Sequence, residues 1–211
     1  YALGENILVN NSIDSLYQGR SKIGIQPNGN FIVAWMERKD NDFGINFQRF
    51  NVLGEKMNSS RSAVDDTTGA SQGIPDIAVD SEGNFLIVWQ DDRNDMDDIF
   101  YQRFDSSASA IGINQQAEDD QGASSQEVPS LAVNKEGEFV ISWFQRFGAD
   151  NYIYSQKYNQ DGTPFGNNIH VNNTSQIGIV IQPHPAATAM NDQGKYVVAW
   201  ESDAEPHRDD I

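Results

Sequence analysis

The sequence is informative first through the residues and patterns that it lacks. It contains no cysteine, so disulfide bonds play no part in its stability. It contains no apolar run of about 18 residues, the length that a membrane-spanning helix needs, so we do not expect it to span a bilayer. Only 14 Lys and Arg stand against 31 Asp and Glu, and the net charge is -17. Such an acidic surface repels phosphate backbones, which argues against nucleic acid as a partner.

The most informative feature that is present is an internal repeat. The stretch Asp80–Gln90 is a polar turn followed by an apolar segment that ends near a tryptophan, and related stretches lie at Gln26–Met36, Asn134–Phe144 and Asn191–Glu201. The tryptophans occupy positions 35, 89, 143 and 200, in steps of 54, 54 and 57 residues, and turn glycines at 29, 83, 137 and 194 keep the same steps. A period in this range predicts a propeller, a solenoid or an array.

Each repeat divides into four pieces with the composition of β-strands. The second piece is apolar, as in Phe85–Gln90, and the third alternates with period two, as in Ile99–Phe104. Alternation, β-branched and aromatic residues, and boundaries of Gly, Asn and Asp predict strands, and no segment has a sustained helical period. The first pieces are Ser21–Gln26, Pro75–Asp80, Pro129–Asn134 and Ala186–Asn191. The fourth are Asn6–Asn10 and Asn168–Asn172, with counterparts near Ser60–Asp65 and Ile113–Glu118.

This pattern predicts an all-β fold, a β-propeller with four-stranded antiparallel blades. We expect small residues of the first piece, such as Ala78 and Ala132, to lie near the axis, where radial sheets crowd together. We expect each tryptophan to fill the gap between adjacent sheets. The predicted division is 1–20 for the outer strand of a preceding or closing blade, 21–74, 75–128 and 129–185 for three blades, and 186–211 for an incomplete blade.

The phase of the repeat bears on whether the ring closes. Residues 6–10 match 168–172 of a fourth strand, and Ile211 matches the first residue of a third strand. In a ring of four blades, the N-terminal strand would therefore have no third strand beside it. We accordingly expect the chain to be a processed or excised part of a larger propeller with seven or eight blades.

The repeat resembles one that occurs in tandem in large secreted bacterial proteins, many of them from Bacteroidetes. The resemblance is carried by Pro75–Trp89, Ile99–Phe104 and Tyr158–Asn172, and it extends over essentially the whole chain. It implies propeller blades on extracellular or cell-surface proteins, usually without an assigned activity, and it supplies no catalytic residues. The turns also resemble the sialidase Asp-box loosely, but its Ser-x-Asp-x-Gly-x-x-Trp spacing is not met.

The most charged feature is the loop Asp91–Asp98 between the second and third pieces of the second full repeat. Carboxylates clustered on a loop suit Ca²⁺, and Asp95, Asp97 and Asp98 are the candidate ligands. The spacing is not that of an EF-hand, because the central glycine and the terminal glutamate are missing. The alternative is a solvated loop that keeps a strand edge charged. Apart from Ca²⁺, no cofactor is indicated.

A Gln-Arg-Phe motif and the histidines are the remaining polar candidates. The motif recurs at Gln48–Phe50 and Gln102–Phe104 and, as Gln-Lys-Tyr, at Gln156–Tyr158. Recurrence favours a structural role, because an active site needs one copy of its chemistry. The three histidines form none of the usual metal-binding spacings; they are His170, His184 and His207.

Two functions of different classes follow from these patterns. The leading interpretation is a non-catalytic scaffold that binds a protein or glycan partner outside the cell, at the cell surface or in the periplasm, as a free protein or within an envelope or secretion assembly. The alternative is a carbohydrate-active propeller, a lectin or a glycoside hydrolase. Catalytic carboxyl pairs have no fixed sequence spacing, so departures from the repeat must locate such a site. The candidates are Phe144, Arg146, Phe147 and His184.

Overall fold

The computed structural model describes residues 5–10, 17–39, 42–117, 124–147, 150–172 and 186–201. These ranges contain fourteen β-strands and no helix, which confirms the all-β prediction. Within them, accordingly, no helix has the length and apolarity that crossing a bilayer requires. The strands form three four-stranded sheets and one two-stranded sheet.

We call the sheets blades 1 to 4. Blade 1 contains β1 (Tyr17–Ile25), β2 (Phe31–Lys39), β3 (Asp42–Phe50) and β4 (Lys56–Ser62). Blade 2 contains β5 (Gln72–Val79), β6 (Phe85–Asp91), β7 (Asp98–Phe104) and β8 (Ala110–Gln116). Blade 3 contains β9 (Ser125–Val133), β10 (Phe139–Phe147), β11 (Asp150–Tyr158) and β12 (Ile169–His170). Blade 4 contains β13 (Ala187–Met190) and β14 (Tyr196–Ala199).

Within each four-stranded blade the strands pair in chain order and run antiparallel. The turns from first to second strand and from third to fourth strand therefore share one end of the sheet, which we call the turn face. The opposite end is the loop face, and it contains residues 63–71, the β6–β7 loop (91–98) and the starts of β1, β5 and β9. Such radially repeated sheets are the architecture of a β-propeller, as predicted. The total number of blades stays a prediction.

Large apolar side chains fill the space between neighbouring blades. Trp89 is fully buried in one cluster with Ile32 and Phe47 of blade 1. Trp143 takes the equivalent place in the next cluster, together with Val88 and Tyr101 of blade 2. Burial of such apolar surface is the main favourable term in folding. The predicted role of the tryptophans is confirmed at these two junctions.

The strand boundaries differ from the prediction in an instructive way. The inner strands β5 and β9 begin at Gln72 and Ser125 instead of Pro75 and Pro129. A register shift interrupts pairing beside each proline, which has no N–H to donate, and pairing resumes on the other side. The fourth strands lie at 56–62 and 110–116, a few residues before the predicted 60–65 and 113–118.

The predicted strand at 6–10 is wrong, because residues 5–10 contain no strand. Val9 instead packs against the apolar cluster of Trp35 and Phe50 on blade 1.

The recurring glutamine of the Gln-Arg-Phe motif clamps the fourth strand of its own blade. Gln102 Nε2 donates to the carbonyl oxygens of Arg103 at 2.8 Å, Ile111 at 3.2 Å and Gly112 at 3.4 Å, where the β7–β8 register shifts. Gln48 and Gln156 make the matching contacts in blades 1 and 3. A carbonyl oxygen that a bulge leaves unpaired needs such a donor. The structural interpretation of this motif is confirmed.

Replacing Gln102 with alanine is expected to lower the free energy of unfolding by about 1–3 kcal/mol, because three carbonyl oxygens lose the donor that this buried side chain supplies. Gln102 Oε1 also accepts a hydrogen bond from Asn114 Nδ2 at 2.8 Å. Urea unfolding measures the loss. The matched control is Gln48→Ala: within the described residues Gln48 Oε1 has no partner, so this variant should lose less stability. An equal or larger loss in Gln48→Ala would contradict the assignment.

Candidate functional site

Glu127 is the acidic residue that departs most clearly from the repeat. It lies at the start of the inner strand β9, on the loop face, where blades 1 and 2 have Gly19 and Gly73 at steps of 54 residues. An added Cβ at Gly73 would lie 3.3 Å from Met36 Sδ, so a side chain in blade 2 would require Met36 to move. Only blade 3, among the three full blades, therefore presents a carboxyl group at this position.

The backbone beside Glu127 contains a bulge that recurs in every full blade. Val128 has a φ of 54°, and the equivalent residues Arg20 and Ile74 have φ values of 55° and 50°. This left-handed region is strained for a β-branched residue, and such strain persists only where the surrounding structure fixes it. Because the bulge recurs, it belongs to the fold. In blade 3, Glu127 directly precedes the bulge residue Val128.

An arginine and an aspartate complete the surroundings of Glu127. Arg146 on the neighbouring strand β10 forms an ion pair with it, with Nη2 3.6 Å from Glu127 Oε1, and the Glu127 side chain is only 14% exposed. The β6–β7 loop of blade 2 docks beside them, since Gln126 N donates to Asp97 O at 2.6 Å. Ser125 Oγ donates to Asp97 Oδ2 at 3.4 Å. The site therefore lies at the junction of blades 2 and 3.

The pKa of Glu127 is raised. Burial is the largest cause, since it disfavours the charged carboxylate, and the negative charge of Asp97 acts in the same direction. Arg146 opposes both but does not cancel them. Two neighbouring carboxyl groups in unequal environments, one of which holds its proton more tightly, are the arrangement from which acid–base catalysts are built.

This raised pKa predicts how stability depends on pH. The folded chain binds the Glu127 proton more tightly than the unfolded chain, so ionisation at rising pH costs stability. Glu127→Gln removes that cost. The variant should show a higher urea midpoint than the wild type at pH 8, and the same midpoint at a pH below the ordinary glutamate pKa. A lower midpoint at pH 8 would mean that the Arg146 ion pair outweighs burial.

The loop that carries Asp97 is anchored at its start by a buried ion pair. Asp91 is fully buried and accepts hydrogen bonds from Trp89 Nε1 at 2.8 Å and from Arg93 Nη2 at 2.6 Å. The Arg93 guanidinium also lies 4.1 Å from the ring centroid of Phe100. These contacts tie the loop to the core of blade 2, so the position of Asp97 is fixed from both ends.

The three candidate calcium ligands have different local surroundings in the β6–β7 loop. Asp98 is buried and accepts a hydrogen bond from Asn94 Nδ2 at 2.6 Å, Asp97 contacts β9, and Asp95 has a φ of 71°. In the described part of the chain, no group of three Asp, Glu or His side chains is placed to hold a metal ion. Calcium binding by Asp95, Asp97 and Asp98 stays a prediction.

The structure places the predicted departures from the repeat, and the histidines, in different surroundings. Arg146 belongs to the site, whereas Phe144 is buried in a core cluster with Ile153 and Ala186. His170 stacks on Tyr154 with centroids 5.0 Å apart. Phe147 ends β10, and His184 and His207 lie outside the described residues. Glu127 was missed, although the change from Gly73 to Glu127 at a 54-residue step was visible in the sequence.

Fold and site together define a β-propeller with a raised-pKa carboxyl group on its loop face, and solved structures share that fold. A candidate glycoside hydrolase from Bacteroides ovatus superposes over 93% of this chain and 75% of its own, with a TM-score of 0.55 and 9% identity. One from Parabacteroides distasonis covers 90% and 63%, with a TM-score of 0.54 and 11% identity. A structure from the mannoside phosphorylase family that contains glycoside hydrolases acting on β-1,2-mannosidic linkages covers 85% and 63%, with a TM-score of 0.53 and 9% identity.

Neither a protein-family model nor a curated protein sequence matches the chain. The solved structures share the propeller fold, and several of them are of the glycoside hydrolase type from Bacteroides and Parabacteroides, whereas membership of a secreted repeat family stays a prediction. The expectation that the chain is not an enzyme is contradicted by the same neighbours, which are glycoside hydrolases and phosphorylases. That expectation is wrong.

Proposed function

We propose that the chain is part of a carbohydrate-active propeller enzyme that cleaves glycosidic bonds on its loop face. The observation that carries the proposal is Glu127, a carboxyl group with a raised pKa at the junction of two blades, beside an arginine and a second carboxylate. The neighbours of the same fold support the substrate class. The chain spans about two thirds to three quarters of the length of those structures, so the activity of the whole protein is part of the proposal.

In this proposal Glu127 is the general acid. Its proton passes to the glycosidic oxygen as the bond from that oxygen to the anomeric carbon breaks, so the leaving group departs as a neutral alcohol and Glu127 remains as a carboxylate. Water supplies the new oxygen at the anomeric carbon and releases one proton to solvent, from which Glu127 is protonated again. In a phosphorylase, phosphate supplies that oxygen instead of water. Asp97 is the second carboxylate and keeps the Glu127 proton in place by its charge. Arg146 orients the Glu127 carboxyl group.

The acidic surface is compatible with neutral substrates and with a location outside the cell, at the cell surface or in the periplasm, which we keep as part of the proposal. A lectin is the second candidate. It would bind glycans at the same face and leave them intact.

The test is incubation of the chain with neutral β-linked disaccharides, including β-1,2-mannobiose, with and without inorganic phosphate, followed by chromatography of the sugars. Free monosaccharides indicate a hydrolase, and sugar 1-phosphates that form only with phosphate indicate a phosphorylase. Binding without cleavage would replace the enzyme by the lectin. If the chain neither binds nor cleaves any of these glycans, the proposal is contradicted.

A further inference from the structure

A groove of about 420 Å³ lies on the rim between blades 2 and 3, and Glu127 is not one of its lining residues. Its walls are the outer strand β8 on one side and β11 with the following segment 162–168 on the other. Its volume falls within the range of about 300–1,000 Å³ that is usual for sites of small ligands. The groove is thus large enough for one or two sugar rings.

The equivalent place between blades 1 and 2 is plugged by an arginine. Arg61 Nη1 donates to the carbonyl oxygen of Ala108, and its guanidinium lies 5.8 Å from the ring centroid of Phe47. At a step of 54 residues, Arg61 corresponds to Gln115, Ala108 to Gly162 and Phe47 to Tyr101. The shorter Gln115 leaves the groove open.

The groove differs from its plugged counterpart in chemistry as well as in shape. Tyr101 replaces a phenylalanine, and its hydroxyl donates to Gln115 Oε1 at 2.6 Å and lies 3.4 Å from Gly162 O. Tyr158 replaces Phe104 in the same way. The other polar side chains that line the groove are all carboxamides, and they are Gln115, Gln116, Gln156 and Asn168.

The lining of the groove carries no charge. Burial raises the pKa of Tyr101 to about 12, with Asp161 adding to the effect and Arg103 opposing it, so the phenol stays neutral at physiological pH. Arg103 stands beside the groove, but it is engaged by Gln160 O at 2.8 Å. Neutral amide and hydroxyl groups can both donate and accept hydrogen bonds, as the hydroxyl groups of a sugar require. An ionic ligand would find no counter-charge in this lining.

We propose that this rim groove binds a neutral saccharide, as a second glycan site that holds the polymer while the loop face acts on it. The choice of a saccharide rests on the proposed function, whereas the place and the neutral polarity come from the groove itself.

The test is a titration of the chain with β-1,2-mannobiose, cellobiose, xylobiose or lactose. Binding is monitored through the amide chemical shifts in NMR spectra. Glu127→Gln serves as the background, so that no sugar is consumed. We expect at least one of these sugars to shift the Gly162 and Gly166 amides. Gln115→Arg copies the Arg61 plug and should fold like the background. It should raise the dissociation constant of the sugar, measured from these amide shifts, at least about 10-fold. Gln115→Ala does not fill the groove, so it should raise the dissociation constant less. If Gln115→Arg fails to fold, the comparison with Gln115→Ala is the test.

The groove proposal is overturned if none of the four sugars shifts these amides at up to about 20 mM. It is equally overturned if the variants that fold bind as tightly as the background, which would mean binding elsewhere. This titration measures binding at the rim groove, whereas the cleavage assay measures activity on the loop face. A negative result in either experiment therefore leaves the other proposal standing.

Discussion

Glu127→Gln is expected to lower kcat for glycoside cleavage by about 10²–10⁴-fold, the usual contribution of a general acid. Glutamine has the same shape as the protonated side chain but cannot release a proton to the leaving group. Substrates with a good leaving group need that proton less, so a dinitrophenyl glycoside should lose much less activity than a disaccharide. The comparison of the two substrates separates loss of the acid from general damage.

The matched control is Glu136→Gln. Glu136 lies on the turn face, its side chain is 53% exposed, and its ion pair is with the adjacent Lys135. It should retain full activity. In addition, Asp97→Asn removes the charge that helps to raise the Glu127 pKa, so the alkaline limb of the pH–rate profile should move to lower pH. An unchanged kcat in Glu127→Gln, or equal losses with both substrates, would exclude Glu127 as the acid.

Trp89→Ala is expected to lower the free energy of unfolding by about 3–5 kcal/mol, the usual loss for a large buried aromatic side chain. The ring is fully buried between blades 1 and 2, and its Nε1 also satisfies the buried Asp91 carboxylate. Most domains have only about 5–15 kcal/mol of stability, so the variant should be close to unfolding. Urea unfolding followed by circular dichroism measures the loss.

The repeat supplies its own control for this variant in Trp200. It occupies the equivalent position in blade 4 but is 37% exposed. Because less apolar surface is lost there, Trp200→Ala should cost under about 1.5 kcal/mol. If the two alanine variants lost the same stability, junction packing would not be what the repeated tryptophan provides.

The sequence predicted the fold well because the repeat is a packing pattern. The tryptophans and turn glycines keep the 54-residue step because each blade must fit against the next one and turn in the same way. The inner strands were predicted too short, because Pro75 and Pro129 read as strand starts although they stand inside a bulge.

The candidate site was only partly predictable. Arg146 stood out as a departure from the repeat, and it contacts Glu127. Glu127 itself lay just before the predicted strand, and its contact with Asp97 depends on how the β6–β7 loop folds back onto blade 3. Composition and periodicity carry no signal for that loop conformation. The loop's many carboxylates instead suggested a metal site.

Mapping a bound glycan on the double variant Glu127→Gln and Gln115→Arg tests the central claim most directly. This protein cannot use Glu127 as an acid, and its rim groove is plugged, so a substrate identified in the cleavage assay has only the loop face to occupy. We predict that the largest amide shifts fall on position 127, Arg146 and Asp97. Shifts confined to other residues would contradict the assignment of glycan chemistry to this junction of blades 2 and 3.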